Sequence, residues 1–395
     1  MAKRSIADLD LSGKRVLIRV DFNVPLDEAR RVTDDTRIRA ALPTIRHAME
    51  QGARVALISH LGRPKGKAVA ALSLAPVAER LSELLGRPVP LAPDCVGEAV
   101  ARLVEALPPG GVLLLENCRF HAGDERNDEG MGRALADLCD LFVNDAFGSA
   151  HRAHASTVGV ARFVPIAAAG FLLAKEIAYL GQVLESPARP FVAILGGAKV
   201  SDKIGVLRNL VGKVDALLVG GGMAYTFLKA QGVEVGASLL ESDKLEMARA
   251  ILEAARERGV MFLLPVDHVI AERVDAAAPA RVVENGALPA GWMGLDIGPR
   301  TRAAFAAQIR GARTVVWNGP MGVFEHASFA QGTLAVARAV AESGAISIVG
   351  GGDSVAAVTQ AGLADRITHI STGGGASLEF LEGIELPGVA ALTDK

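Results

Sequence analysis

The stretch PFVAILGGAKVSDK, residues 190–203, decides how the second half of this chain is expected to fold. Its apolar run ends in two glycines, Lys199 and Lys203 follow, and Ser201 stands where a helix would begin. A strand, bare backbone, a helix N-terminus and lysine, in this order, form a phosphate-binding edge in parallel sheets. A tight strand-to-helix turn with two solvated lysines would leave the same pattern, and the P-loop pattern G-x-x-x-x-G-K-[ST] is absent from the chain.

Further glycine triplets favour the phosphate interpretation. Each closes an apolar run in the same half of the chain: Gly220–Gly222, Gly350–Gly352 and Gly373–Gly375. Ligands of open parallel sheets bind outside the carboxyl ends of the strands, so the triplets mark candidate binding positions.

Length and composition indicate a well-packed protein of two domains. The 395 residues exceed what one hydrophobic core organises, half of them are hydrophobic, and 22% are charged. With 42 basic and 44 acidic side chains the formal net charge is −2, so no global field favours nucleic acid or a membrane surface. Any anion site must therefore be local.

The cysteines and the N-terminus favour a cytoplasmic protein. Cys95, Cys118 and Cys139 have no paired spacing and are too few for a disulfide framework, which fits a reducing compartment. The first ten residues contain no apolar signal segment, and the longest apolar run falls short of the roughly 20 residues that a membrane span needs.

Short apolar runs alternate with amphipathic helical segments throughout the chain, which is typical of parallel sheets covered on both faces. The fold class is therefore α/β, with two doubly wound, Rossmann-like parallel-sheet domains joined by a helical hinge. We expect a first domain over 1–170, a connecting helix over 171–186 and a second domain over 187–383. The predicted strands are Arg15–Val20, Arg54–Ser59, Gly111–Leu115, Leu141–Asn144, Phe191–Leu195, Ala216–Val219, Met261–Leu264, Thr314–Trp317 and Ile346–Val349.

Arginines follow the predicted strands of the first half. Arg63, Arg119 and Arg152, with Arg37 at the start of the first helix, would surround one crevice. Fork-shaped guanidinium donors suit a small ligand that carries phosphate and carboxylate. Surface ion pairs are the alternative for any one of them.

Other polar residues share those strand ends. Asp21 and Asn23 could orient the arginines or accept a substrate hydroxyl, or they could form a buried structural ion pair. His60 is expected to donate to an anion, or to be a structural histidine near it, rather than to bind metal, because no third ligand stands at a recognisable spacing. Phe22, Leu61 and Gly62 complete the residues placed just past these strands.

Acidic residues stand beside the glycines of the second half. Asp353, in GGGDS, could cap a helix or hold Mg²⁺ that bridges nucleotide phosphates. Glu325 follows a turn where a carboxylate could accept from ribose hydroxyls.

Eight segments together resemble the phosphoglycerate kinase family, in that family's order and over nearly the whole chain. They are RVDFNVP (19–25), SHLGRP (59–64), LLENCRF (114–120), NDAFGSAHRAHAS (144–156), LGGAKVSDKI (195–204), VWNGPMGVFE (316–325), GGGDS (350–354) and STGGGASLEFLEG (371–383). The resemblance implies a monomeric, Mg²⁺-dependent enzyme that moves the acyl phosphate of 1,3-bisphosphoglycerate to ADP, giving 3-phosphoglycerate and ATP. It also implies that residues 384–395 pack back on the first domain.

The resemblance also assigns residues to sites. The phosphoglycerate site would hold Asp21, Phe22, Asn23, Arg37, His60, Leu61, Gly62, Arg63, Arg119 and Arg152. The nucleotide site would hold Lys199, Lys203, Glu325, Gly351, Gly352, Asp353 and Ser354, with Asp353 as the Mg²⁺ ligand and Gly373, Gly374 and Gly375 at a helix N-terminus near the transferred phosphate. Arg37 and Lys199 are the expected catalytic charges. Departures from the family pattern are small: Ser354 and Ser149 stand where threonine is usual, and His326 where an apolar residue is common.

Two other classes of protein share parts of this pattern. An NAD-dependent α/β dehydrogenase would need G-x-G-x-x-G opening a helix, and no glycine cluster here meets that pattern. A two-lobed, non-enzymatic anion-binding protein would explain the arginines but would leave Lys199, Lys203 and Asp353 without a role.

Overall fold

The computed structural model describes residues 3–275 and 278–395, and the chain divides into two compact units. Unit 1 consists of Met1–Ala178 and Glu385–Lys395, and unit 2 consists of Tyr179–Ile384. Within the described residues, no helix is both long and apolar enough to cross a membrane.

Unit 1 is built on a five-stranded, fully parallel sheet with strand order β3-β2-β1-β4-β5. The strands are β1 (Arg15–Arg19), β2 (Arg54–Ile58), β3 (Val112–Leu114), β4 (Leu141–Asn144) and β5 (Ala167–Ala169). The helices are α1 (Thr36–Glu50), α2 (Ala75–Leu85), α3 (Glu98–Glu105), α4 (Ala122–Glu125), α5 (Glu129–Ala136) and α6 (Phe171–Glu185).

The unit 1 core shows why the apolar periods produce this fold. In α2, Val77 and Leu81 are one turn apart and fully buried, and they join a cluster that includes Val55 and Leu57 of β2. Gly86 ends the helix at φ 68°, a left-handed conformation that glycine adopts without the steric cost other residues incur.

Unit 2 contains a six-stranded parallel sheet, order β14-β13-β12-β6-β7-β8, and a three-stranded antiparallel sheet, order β10-β9-β11. The strands are β6 (Phe191–Leu195), β7 (Ala216–Val219), β8 (Met261–Leu263), β9 (Asp267–Ala271), β10 (Arg281–Glu284), β11 (Met293–Ile297), β12 (Thr314–Asn318), β13 (Ile346–Gly350) and β14 (His369–Ile370). The helices are α7 (Ile204–Leu210), α8 (Met223–Ala230), α9 (Leu245–Glu257), α10 (Pro299–Arg310), α11 (Gln331–Glu342), α12 (Gly352–Gln360) and α13 (Gly375–Leu381).

The last residues form part of unit 1. They include the short helix α14 (Pro387–Ala390), and the Gly388 carbonyl accepts from Asn144 Nδ2 at 3.1 Å. The Thr393 backbone N–H donates to the Ala167 carbonyl at 2.9 Å, beside β5. Lys3 Nζ lies 2.9 Å from Asp394 Oδ1, so the two ends of the described chain meet in this unit.

A buried carboxylate at the end of the unit 1 sheet binds the first turn of helix α6. Asp145, directly after β4, accepts at Oδ1 from the backbone N–H groups of Leu172 and Leu173, at 2.9 and 3.2 Å. Gly170 makes room, because a Cβ there would lie 2.2 Å from the same oxygen. Burial raises the pKa of Asp145 to about 7. Unit 2 begins at Tyr179, within this helix.

The α/β fold class is confirmed, and each predicted strand is present to within a residue or two at its ends. The antiparallel sheet and the short strands β5 and β14 were not predicted. Strand β5 is three alanines and β14 has two residues, so neither offers the run of apolar residues that marks a buried strand. Strand β10 is largely exposed, so its sequence lacks the alternation of apolar core positions and polar solvent positions that would predict a strand.

Candidate functional site

The carboxyl ends of the unit 1 strands bring several predicted residues into contact. Arg37 Nη1 donates to Asp21 Oδ2 at 2.9 Å, and Asn23 Oδ1 accepts from the Gly62 backbone N–H at 2.9 Å. The loop after β1 is thereby tied to α1 on one side and to the loop after β2 on the other. Asp21 and Arg37 therefore form an ion pair, but not the buried one that the sequence allowed as an alternative, because the Arg37 side chain is 40% exposed.

Arg119 is the buried arginine of this group, with 2% of its side chain exposed. Its Nη1 donates to the Gly62 carbonyl at 3.0 Å, whereas Nη2 has no hydrogen-bond partner among the described residues. Nε lies 3.6 Å from Glu125 Oε1, beyond hydrogen-bond distance. Burial and the neighbouring Arg19 lower the pKa of Arg119. A buried guanidinium with unused donors suits an anionic ligand.

Arg19 belongs to the same cluster, although no sequence motif indicates a role for it. It is fully buried at the end of β1, where Nε donates to Ser156 Oγ at 3.1 Å and Nη2 lies 3.1 Å from His60 Nδ1. A guanidinium only donates, so Nδ1 accepts and the proton of His60 is on Nε2. Burial, followed by Arg19, Arg119 and Arg152, holds the pKa of His60 well below its usual range, so the imidazole is neutral.

The remaining predicted residues of unit 1 differ in exposure. Arg63 is exposed, and Arg152 is half-buried with Nε donating to His151 Nε2 at 3.1 Å. Phe22 and Leu61 are buried in the core. Because their side chains pack against other core residues, only their backbone groups can face a ligand.

A polar cleft of about 470 Å³ lies at the carboxyl ends of β6, β12 and β13 in unit 2. Lys203 Nζ donates to Asn318 Oδ1, and burial lowers the pKa of Lys203. The Nδ2 of Asn318 is buried and has no hydrogen-bond partner among the described residues. The cleft is lined by Gly196, Gly197, Ala198, Lys199, Asp202, Lys203, Asn318, Gly319, Pro320, Gly351, Gly352, Asp353, Ser354, Gly374, Gly375 and Leu378.

Close backbone approach explains the glycines after β6 and β12. A Cβ at Gly196 would lie 2.1 Å from the Pro320 carbonyl oxygen, and one at Gly319 would lie 2.2 Å from the Gly196 carbonyl oxygen. Gly319 also has φ 99°, which disfavours residues with a side chain. The two loops therefore touch through bare backbone and form the floor of the cleft.

Two charged residues of this cleft, Lys199 and Asp353, are exposed, unlike the partly buried Lys203. Lys199 is exposed, and the chain forms a 3₁₀ turn over Ser201–Lys203, so α7 begins at Ile204 rather than at the expected Ser201. Asp353 is exposed in the first turn of α12, and the N-cap residue of that helix is Gly351. The capping alternative for Asp353 is therefore not what the structure shows.

The small residues of the cleft play structural parts. Ser354 is fully buried, and its Oγ accepts from the Gly319 backbone N–H at 2.6 Å, so its side chain fixes the loop after β12. Gly374 precedes α13 with φ 52°, and Gly374 and Gly375 line the cleft, while Gly373 is buried beside them.

An apolar cleft of about 360 Å³ adjoins the polar one, since both are lined by Gly197, Ala198, Pro320 and Asp353. Its walls include Tyr225, Leu239, Val274, Gly294 and Met321. Glu325 is exposed and is the other acidic lining residue besides Asp353 and the buried Asp296. An apolar slot beside a polar one matches a nucleotide, which has a flat base and charged phosphates.

Asp353 fits its expected role as a Mg²⁺ ligand, because its carboxylate is exposed in the polar cleft and Mg²⁺ prefers carboxylate oxygens. Among the described residues, one group of three possible ligands lies within 4.8 Å: Asp94, Cys95 and His121. Asp94 and His121 already share a contact of 2.6 Å, and burial raises the pKa of the Cys95 thiol. We assign no metal to that group.

Two α/β units, each built on a parallel sheet, define a two-domain α/β protein, with clustered arginines on one unit and a glycine-lined double cleft on the other. The phosphoglycerate kinase family model matches residues 6–384. The chain is 62% identical to the phosphoglycerate kinase of Koribacter versatilis and 63% identical to that of Moorella thermoacetica, over 100% of each chain. The structure is similar to that of phosphoglycerate kinase from Coxiella burnetii, with 47% identity, a TM-score of 0.91 and 98% of both chains covered.

The more distant structure from Pyrococcus horikoshii, also a phosphoglycerate kinase, covers 98% of both chains with 35% identity and a TM-score of 0.82. The chain belongs to the phosphoglycerate kinase family. The dehydrogenase and the non-enzymatic anion-binding protein are thereby set aside.

Proposed function

We propose that this chain transfers the acyl phosphate of 1,3-bisphosphoglycerate reversibly to ADP, with the acid on unit 1 and the nucleotide on unit 2. The observation that carries this division is Arg119, a buried cation with unused donors on one unit, set against a glycine-lined polar cleft on the other. Each unit offers what one of the two substrates needs.

The phosphoglycerate end of the proposal rests on the arginine cluster. Arg119 and Arg152 supply positive charge beside the neutral His60, whose Nε2–H is available as a further donor. Arg63 and Arg37 stand at the exposed side, and Asp21 orients Arg37. Asn23 holds the Gly62 turn in place rather than adding charge. Fixed guanidinium forks of this kind match phosphate and carboxylate oxygens.

The nucleotide end rests on the two adjoining clefts. The apolar cleft would take the base, with Glu325 accepting from the ribose hydroxyls. The polar cleft would take the phosphates, with Lys203, Asn318 Nδ2 and the backbone of Gly351 and Gly352 as donors. Asp353 would hold Mg²⁺, which when bound neutralises phosphate charge.

Phosphoryl transfer asks the protein for positioning and charge rather than for covalent chemistry. Arg37 and Lys199 have exposed side chains, one on each unit, so both have freedom to reach the equatorial oxygens of the transferred group. An acyl phosphate is sensitive to water, so we expect both substrates together to close the site.

A coupled assay of ATP formation from 1,3-bisphosphoglycerate and ADP tests the function. We expect Mg²⁺-dependent turnover and no affinity for NAD. Absence of turnover with folded protein would contradict the proposal. We further propose that the enzyme is cytoplasmic and has no nucleic-acid partner, which its three free cysteines and its balanced charge support. The monomeric state is proposed only from the resemblance to the family.

A further inference from the structure

A chain of buried polar side chains runs behind the wall of the apolar cleft in unit 2. Tyr225 Oη, on α8, lies 3.0 Å from His268 Nδ1, on β9. His268 Nε2 lies 2.6 Å from Asn285 Oδ1, just after β10. Asn285 Nδ2 donates to the Pro265 carbonyl at 3.0 Å, which ends the chain on the backbone.

The hydrogen bonds of this chain can run in one direction only at neutral pH. Asn285 must turn its amide N–H₂ toward the Pro265 carbonyl, so its oxygen faces His268 and accepts from Nε2–H. Nδ1 of a neutral imidazole then has a lone pair, and Tyr225 donates to it. Burial lowers the pKa of His268, which favours the neutral ring.

The surroundings make this chain costly unless it is complete. His268 is fully buried and Tyr225 is 4% exposed, within a cluster that includes Leu228, Ile270 and Leu288. A buried polar group that loses its partner costs more than the bond contributes. The complete chain therefore restricts α8, β9 and the segment after β10 to one arrangement.

Tyr225 also forms part of the cleft itself. It is a lining residue of the apolar cleft, together with Gly294 of β11. A Cβ on Gly294 would lie 1.6 Å from Tyr225 Oη, so the hydroxyl sits directly over bare backbone. His268 fixes the hydroxyl on one side and β11 limits it on the other, so the ring has little freedom to tilt.

We propose that Tyr225, His268 and Asn285 are positioning residues for the nucleobase, which hold the aromatic wall of the apolar cleft at the spacing that a base requires. The proposal rests on the placement of the base in this cleft under the proposed function. This positioning role differs from a purely structural one, because a fixed wall affects binding of the nucleoside and not binding of the phosphates.

Two substitutions break the same hydrogen bond from opposite ends. Tyr225→Phe removes the donor, and His268→Gln keeps an N–H for Asn285 but removes the Nδ1 acceptor. We expect each to raise the KM for Mg-ADP about three- to tenfold with kcat unchanged, as suits loss of one buried hydrogen bond. The double variant should be no worse than the poorer single variant, because both remove one interaction.

Three measurements complete the design. Mg-pyrophosphate, which has no base, should inhibit the variants and the unsubstituted enzyme with equal affinity. Tyr179→Phe removes the hydroxyl of the chain's only other tyrosine, which lines neither cleft, and should leave the KM for Mg-ADP unchanged. Leu239→Asp places a charge on the exposed rim of the apolar cleft and tests the cleft itself.

The outcomes separate the proposal from the function it rests on. An unchanged KM for Mg-ADP in both single variants, with a raised KM in Leu239→Asp, would overturn the positioning role and leave the nucleobase site standing. Equal weakening of Mg-ADP and Mg-pyrophosphate would show a general distortion and overturn it as well. If Leu239→Asp also had no effect, the nucleotide placement itself would be wrong.

Discussion

Two cationic side chains of this protein, Arg119 and Lys203, are buried where water solvates them poorly. Burial lowers the pKa of Arg119 and of Lys203, which means that each charge is less stable than in water until an anion compensates it. Arg119 has an unused donor at its own Nη2. Lys203 is hydrogen-bonded to Asn318, whose Nδ2 is an unused donor. Under the proposed function, affinity for phosphate comes from a few side chains within a protein of almost zero net charge.

Arg63→Ala should weaken 3-phosphoglycerate binding and leave Mg-ADP binding nearly unchanged, because the two ligands are proposed to bind different units. The loss of one charged hydrogen-bond partner should cost about 1.5–3 kcal/mol. Isothermal titration calorimetry with each ligand separately measures both affinities. Similar losses for the two ligands would contradict the assignment of Arg63.

Asp353→Asn should reduce Mg²⁺-dependent turnover far more than stability. The N-cap residue of α12 is Gly351 and not Asp353, so folding should lose little, whereas a neutral amide coordinates Mg²⁺ poorly. Turnover measured across a Mg²⁺ titration, with thermal unfolding as the control, checks both parts. Unchanged Mg²⁺ dependence in the variant would rule out Asp353 as the ligand.

Among the elements, strands and site loops differ in how well the sequence predicts them. Strands β1 and β6 were predictable because a strand buried on both faces needs a continuous apolar run. Strand β10 is not buried, and its pairing with β9 is set by contacts far along the chain. Arg19 was missed for a related reason: a buried arginine inside an apolar run shows its partner, His60, only in three dimensions.

Ionisation of Asp145, which binds the first turn of α6, should make unit 1 less stable as pH rises. Burial raises the pKa of Asp145 from 3.8 to about 7, so the folded state favours the proton, and ionisation penalises folding between about pH 4 and 7. Asp145→Asn keeps an oxygen acceptor for Leu172 and Leu173 but cannot ionise. Relative to the unsubstituted protein, the variant should therefore gain stability over that range, by up to about 1.4 kcal/mol per pH unit.

Chemical denaturation at pH 5 and pH 8, followed by circular dichroism, measures this difference. Both tryptophans, Trp292 and Trp317, lie in unit 2, so their fluorescence separates the transition of that unit from that of unit 1. A stability difference that does not vary with pH would refute the ionisation argument.

At the scale of the whole molecule, the proposed function places the two ligands on separate units, so one phosphoryl group would have to pass between them. If Arg37 and Lys199 neutralise that group, Arg37→Ala and Lys199→Ala should each lower kcat at least about a hundredfold, with little change in the binding of either substrate alone. The charge is needed fully only in the transition state. Steady-state kinetics together with equilibrium binding of each substrate separates the two effects, and full kcat in both variants would defeat the mechanism.

Scattering provides a second measurement at this scale. Both ligands together should compact the protein in solution more than either ligand alone, because closure needs contacts from both sites. Small-angle X-ray scattering of the apo, singly bound and doubly bound protein tests this. An unchanged radius of gyration with both ligands bound would remove closure from the proposal.

The return of Glu385–Lys395 to unit 1 has a consequence for biosynthesis. A ribosome makes all of unit 2 before it makes the residues that supply Gly388 and Thr393 to unit 1. Unit 2 is continuous in sequence and can fold as it emerges, whereas the Asn144 side chain and the edge beside β5 wait for their partners. The nascent chain therefore completes unit 2, to which the proposed function assigns the nucleotide, before it completes unit 1, to which that proposal assigns the acid.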